Sequence, residues 1–474
     1  MVENILYLSP VWILGLGVLT LLFCYARESS VSLVFRLAKI FASLGWATAV
    51  IFYNRSAFPE IMSANAYTIL FINLMFFAMC ATLFLSKKWY ASMNMTGALF
   101  CCGLLLSGVS GVLLVTSHNL GLTAAAVLLL LFSNYLLFIH ADKRKDIYLS
   151  SQLYAFSAVV AAVLLMVCVG FLYWQNPSLD YDVLGYYFEN GVEKNVLFLL
   201  AAAMVLIFVF LLGLSPLHFW YTETTGQIVL PVFSYFTLVP VGICWAAFIK
   251  LNAHVLSAMA PSLTLLYQGL ALLSLFMGAV GACSGKNIRK IFAFGVVYQQ
   301  GIVFLILQRL TPDALNTAFI YMFVYLLAMY GVCACLYGLK NKGEYLFMLS
   351  DFEGAAFRRP YIAATMTIFL FSLIGFPPFL GFLGLFSVVN DLIQHHNIFQ
   401  LGLLFIALLI LSYAYLQIIK TMYFENSNIA FDRADRGIYL AIMLTVLLMI
   451  LIMLQPHYLV QDLEWILEGA LTWQ

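Results

Sequence analysis

A few polar side chains stand inside long apolar stretches of this chain: Asn134, Gln152, His218, Ser234, Tyr298, Gln299, Gln300, Tyr413 and Tyr415. His218 is foremost among them. It follows Pro216 and precedes Phe219-Trp220, and an imidazole can change protonation between about pH 5 and 8. Tyr298-Gln299-Gln300 offers three neighbouring donors and acceptors. With water, His218, Tyr298, Gln299 and Gln300 could form a proton path. The plainer role is interhelical glue, which is what buried polar residues in membranes usually are, with His218 capping a broken helix.

Prolines mark where such helices would break. Pro216 ends one apolar run, Pro231 and Pro240 lie in the next, and a later run holds Gly375-Phe376-Pro377-Pro378-Phe379-Leu380-Gly381. Proline removes a backbone donor and clashes with the preceding turn. Breaks are therefore expected at Pro216, Pro240, Pro377 and Pro378. In lipid the freed backbone must face protein or a polar cavity, and discontinuous helices in pairs point to an ion or substrate pathway. No catalytic residue and no metal site is expected. His395-His396 are adjacent in a loop without carboxylate company, and the nine cysteines lie in or beside apolar runs without zinc-type spacing. No G-x-G-x-x-G follows a strand.

The elements that must position these residues follow from composition. Of 474 residues, 64% are apolar and 9% are Asp, Glu, Lys or Arg. A soluble domain carries about a quarter charged residues, so soluble enzymes, nucleic-acid binders and disordered chains are excluded. The expected fold is all-α, a polytopic membrane protein of about 14 transmembrane helices forming one domain over 1–474. Fourteen apolar runs lie near 6–26, 32–53, 66–85, 96–115, 120–139, 150–173, 195–214, 227–249, 261–283, 291–308, 314–338, 361–390, 398–424 and 437–459. No alternation of the kind found in a membrane β-barrel occurs.

Loop charge fixes an orientation. The odd-numbered loops hold 16 Lys and Arg, and the even-numbered loops hold four: Arg55, Lys194, Lys250 and Arg309. Positive charge collects on the cytoplasmic side, so both termini are expected outside. The long loop 174–194 then faces outward and 339–360 the cytoplasm. The opening MVENILYLSP lacks a basic region before its apolar run, so the first run is expected to be a retained helix rather than a cleaved signal. Ionisable groups within the runs are almost absent. Lys250 stands at the end of run 8, where snorkelling would suffice.

Several segments together resemble one family. Ser215-Pro216-Leu217-His218-Phe219-Trp220 is similar to a signature of the antiporter-like subunits of respiratory complex I, and Asn287-Ile288-Arg289-Lys290 to the family's NIKR. GFPPFLGFLGLF at 375–386 resembles its broken helix, YAYLQIIKTMYF at 413–424 resembles the N-type subunit of bacterial NADH-quinone oxidoreductase, and SHNL at 117–120 with Tyr135 fits helix 5. The resemblance runs from about 110 to 425. The departures concern the proton relay. The family's helix 5 glutamate falls on Leu128, and its lysines in helices 7, 8 and 12 fall on Leu211, Val241 and Leu385. A family histidine falls on Gln299. A relay of buried charges works because each group biases its neighbour electrostatically, which leucine and valine cannot do.

The resemblance implies a membrane-arm subunit of a proton-translocating NADH-quinone oxidoreductase, keeping the scaffold and losing the pump. The chain would be a non-catalytic subunit in a bacterial inner membrane, with other membrane subunits and lipid as partners and no nucleic acid. It would bind no cofactor itself. NADH, FMN, iron–sulfur clusters and quinone would belong to partner subunits. The competing readings are a subunit of a multisubunit cation/proton antiporter, a solute transporter, or a structural partner in another membrane complex.

Overall fold

Without water in the hydrocarbon, each spanning segment must bond its own backbone, and these sequences meet that demand with helices. The computed structural model describes residues 6–51, 61–139, 145–191, 194–309, 311–425 and 430–456. The helices, in chain order, begin with α1 (Ser9–Ala26), α2 (Val31–Ile51), α3 (Ala66–Ser92), α4 (Ala98–Thr116), α5 (Leu120–Ile139) and α6 (Lys145–Gln175). There follow α7 (Tyr181–Asn190), α8 (Lys194–Leu211), α9 (Phe219–Gln227), α10 (Leu230–His254), α11 (Ala260–Cys283) and α12 (Ile288–Ile306). The last are α13 (Pro312–Gly338), α14 (Ala355–Arg358), α15 (Pro360–Ile374), α16 (Gly381–Gln394), α17 (Ile398–Phe424) and α18 (Arg436–Leu454). Two short strands, Lys340–Asn341 and Glu344–Tyr345, pair antiparallel in the long loop after α13.

Among the described residues, thirteen helices are long and apolar enough to cross a membrane. Each coincides with one of the expected runs. The remaining run, 361–390, is divided between the shorter apolar helices α15 and α16. The chain is therefore a polytopic helical membrane protein. Arg55, Lys143 and Arg144, which enter the loop-charge count, lie outside the described residues.

Two of the expected breaks are present. Helix 7 is interrupted between α8 and α9, around Pro216, and helix 12 between α15 and α16, around Pro377 and Pro378. Both contain a cis prolyl bond. Pro240 does not break its helix: α10 runs through it without interruption. Every residue from Leu230 to Asn252 is buried, so surrounding protein holds α10 together where one bond is lost.

The packing resolves into two compact units. Unit 1 comprises the described residues within 6–213 and 238–266, and unit 2 those within 214–237 and 267–456. In unit 1 the buried helix α4 carries small residues that let its neighbours approach. A Cβ added at Gly111 would stand 2.3 Å from Met75 Sδ, and one at Gly108 would stand 2.6 Å from Met79 Cε. Ser110 Oγ donates to Ala126 O on α5 at 2.7 Å. Small residues with interhelical hydrogen bonds are the usual means of helix association in lipid.

In unit 2 the tightest approach lies at the helix 12 break. A Cβ at Gly381 would stand 1.6 Å from the carbonyl oxygen of Ser372. Gly381→Ala must therefore push α15 and α16 apart, and overpacking of this kind costs about 1–3 kcal/mol. Gly402→Ala on α17 is the control, since nothing lies within 4 Å of its added Cβ. The expected result is a lower melting temperature and lower yield in detergent for Gly381→Ala alone. Equal melting of both variants would contradict the close packing at the break.

Candidate functional site

The helix 12 break in unit 2 gathers several polar groups within the apolar helices. Helix α15 ends on Gly375, whose φ of 83° is the left-handed conformation that glycine adopts most readily at a helix C-terminus. Its N–H donates to Phe371 O and Ser372 O, at 3.1 and 3.0 Å. At the start of α16, Gly381 N donates to Ser372 Oγ at 3.0 Å. Gln299 of α12 donates through Nε2 to Leu373 O at 3.0 Å. Its Oε1 accepts the hydroxyl proton of Tyr321 on α13. One glutamine thus ties α12, α13 and α15 together beside the break.

A small cavity opens beside these bonds. Tyr298, Gln299, Tyr321, Tyr325, Ser372 and Leu385 contribute to its lining. The Tyr298 hydroxyl is buried and has no protein partner. Leu385 fills the other side: a Cβ on Gly375 would stand 2.7 Å from Leu385 Cδ2. The cavity can hydrogen-bond, but none of its lining side chains changes charge near neutral pH.

The helix 7 break is closed by a similar device. Ser215 N donates to Ser274 Oγ at 3.0 Å, and Ser274 Oγ donates to Leu270 O at 2.7 Å. His218 is half-buried at the start of α9, where its carbonyl accepts the N–H of Thr222 at 3.0 Å. Its ring stands 6.0 Å from that of Phe294, one turn before Tyr298 on α12. Of the four expected proton-path residues, Tyr298 and Gln299 line the cavity, while His218 and Gln300 do not.

The remaining candidates divide between interior and surface. Asn134, Ser234 and Tyr415 are buried. Gln152 and Tyr413 face outward instead, and Tyr413 accepts from Gln417 one turn along α17 at 2.9 Å. The four apolar relay positions lie within helices. Leu128 is half-buried in α5. Leu211 ends α8, Val241 follows Pro240 in α10, and Leu385 lies in α16, all three buried.

Lys250 corrects an expectation. It does not snorkel but is 2% exposed within unit 1, where Nζ donates to Ser63 Oγ at 2.8 Å and lies 3.4 Å from Val115 O. Its helix is covered by protein, so the stem has no route along a lipid-facing surface. Sequence reading also missed Tyr321, Tyr325 and Ser372, whose tyrosine spacing of one turn on α13 was the available signal. In unit 2, Lys290 Nζ pairs with Glu223 Oε1 at 2.6 Å, and Arg309 lies 3.4 Å from the buried Asp391.

Comparisons with known proteins agree with this architecture. The family model described as NADH:quinone oxidoreductase/Mrp antiporter, TM matches residues 117–411. NADH-quinone oxidoreductase subunit N of Francisella tularensis subsp. holarctica is 26% identical over 445 residues, covering 90% of each chain. A chain in the structure of respiratory complex I from Thermus thermophilus with bound aureothin superposes with a TM-score of 0.80 at 18% identity, covering 96% of this chain and 99% of the other. A chain of the Mrp complex from Dietzia sp. gives 0.84 at 15% identity, covering 99% and 97%.

The hydrogen bonds of Gln299 make a testable unit. Gln299→Leu leaves the Tyr321 hydroxyl and the Leu373 carbonyl without these partners and is expected to lower the melting temperature. Tyr321→Phe should then cost less in the Gln299→Leu background than in the wild type. Interhelical pairs in membranes couple by about 0.6 and at most about 1.7 kcal/mol. Strictly additive losses in this double-mutant cycle would contradict the bond.

Proposed function

The chain belongs to the NADH:quinone oxidoreductase/Mrp antiporter transmembrane family, and from that premise we propose that it is a membrane-arm subunit of a bacterial NADH-quinone oxidoreductase. In this reading it holds neighbouring membrane subunits in place and moves no proton through a lysine–glutamate relay. It is a non-catalytic subunit of the inner membrane with both termini outside. NADH, FMN, iron–sulfur clusters and quinone belong to its partners.

The observation that carries membership of the complex is the likeness to subunit N across 90% of both chains. The scaffold part rests on what fills the relay positions. Leu385 occupies the wall of the cavity at the helix 12 break. Polar atoms at the two breaks are engaged in closing them: Ser372 Oγ with Gly381, Gln299 with Leu373 and Tyr321, and Ser274 Oγ with Ser215, while the Tyr298 hydroxyl in the cavity wall has no protein partner. A proton carrier must release one partner and take another, which here opens a helix break in a low-dielectric interior. The likeness to the Mrp complex chain favours a second reading, a subunit of a multisubunit cation/proton antiporter.

Purification through a tag at the carboxyl terminus separates the two. The expected result is co-purification of hydrophilic subunits that oxidise NADH. Co-purification with small membrane subunits alone would favour the antiporter. The same tag tests the orientation: protease added outside intact spheroplasts should remove it, and a protected tag would contradict the outward terminus.

A further inference from the structure

Away from the helix breaks, unit 1 brings together three side chains that are far apart in the sequence. His118 lies between α4 and α5, Asp182 in the first turn of α7, and His254 at the end of α10. His118 Nε2 is 3.1 Å from Asp182 Oδ2, and His254 Nδ1 is 3.4 Å from Asp182 Oδ1. One ligand atom from each lies within 4.8 Å of the others. The histidine side chains are 12% and 10% exposed and that of Asp182 is 75% exposed. The cluster is thus buried on the imidazole side and open on the carboxylate side.

The cluster is held by backbone rather than by chance proximity. His118 N donates to Ile61 O at 2.7 Å, and Tyr181 N donates to His118 O at 3.1 Å. Asn119 Nδ2 donates to Asp180 Oδ1 at 2.7 Å, just beside it. Tyr181 is fully buried and shares a 2.5 Å hydrogen bond with Thr123. A Cβ on Gly185 would stand 2.3 Å from His254 O, so α7 lies directly against the end of α10. The nearby Lys250 ammonium donates to Ser63 Oγ and lies 3.4 Å from Val115 O.

We propose that His118, Asp182 and His254 form a binding site for a divalent transition-metal cation of the Zn2+ class, which staples α7 to the start of α5 and the end of α10. Two imidazole nitrogens and one carboxylate oxygen are the donors that zinc takes at about 2.0–2.2 Å, with a fourth position left to water. In a tetrahedron of that size neighbouring ligand atoms stand about 3.3 Å apart; the 3.1 and 3.4 Å separations present run to different oxygens of Asp182, so its carboxylate must turn to offer one oxygen to both imidazoles. The exposed carboxylate is the ligand best able to adjust. Imidazole ligands select zinc, copper or nickel over magnesium and calcium, which prefer oxygen. All three loops fall on the side that the charge count places outside. No spacing motif announces the site, because its ligands come from three separate connections.

The test uses the full-length chain in detergent, stripped with chelator and then titrated with Zn2+ or Mg2+. The expected result is one Zn2+ bound per chain and a higher melting temperature with Zn2+ than with chelator, without a comparable rise with Mg2+. His118→Gln, Asp182→Asn and His254→Gln should each weaken Zn2+ binding by at least the roughly 10–100-fold that even outer partners of a metal site command. The exposed Asp182→Asn serves where a histidine variant does not fold. Equal Zn2+ uptake by wild type and variants, or no Zn2+-dependent rise in the wild-type melting temperature, overturns the proposal.

Discussion

A peptide group in hydrocarbon must find its hydrogen-bond partner within the protein, and the design of this chain turns on the two breaks that interrupt spanning helices among its described residues. An unsatisfied backbone group there costs several kcal/mol. At the helix 12 break the partners are Ser372 Oγ for Gly381 N and Gln299 Nε2 for Leu373 O. At the helix 7 break Ser274 Oγ serves Ser215 N. Serine and glutamine suffice because neither needs to ionise. The bonds that close the breaks are thus supplied by neutral groups, and neither break draws on a charged side chain for them.

That economy has a functional consequence. Charged residues at the centre of a spanning helix cost about 2.5–3.5 kcal/mol on insertion scales, so a chain that keeps them is using them. Here Leu211, Val241 and Leu385 are buried and apolar, and Leu385 packs against the glycine that ends α15. Among the described residues the buried members of Asp, Glu, Lys and Arg, Lys250 and Asp391, stand near helix ends. They anchor connections and do not form a line through a unit.

Much of this was legible from residues alone. Uniform apolar runs of about 20 residues admit one conformation in lipid, so among the described residues thirteen helices and one divided pair fall where the runs do. Pro216 and Pro377-Pro378 were readable as breaks because glycine or a following polar segment gives the chain somewhere to turn. Pro240 was not, since a fully packed helix absorbs one missing bond. Lys250 looked like a snorkelling terminal residue until α10 proved buried throughout. Tyr321, Ser372 and the His118–Asp182–His254 cluster depend on contacts between distant segments, which no local spacing records.

The central claim is that a full set of helices and breaks can persist in this family without proton movement through the subunit. The most direct measurement is the proton-to-electron ratio of the intact complex in sealed vesicles, compared with a relative whose corresponding subunit retains the glutamate and lysines. The account predicts a ratio lower by the share of one antiporter-like subunit. An equal ratio would contradict it, because the chain would then carry its share through tyrosine, glutamine and water alone.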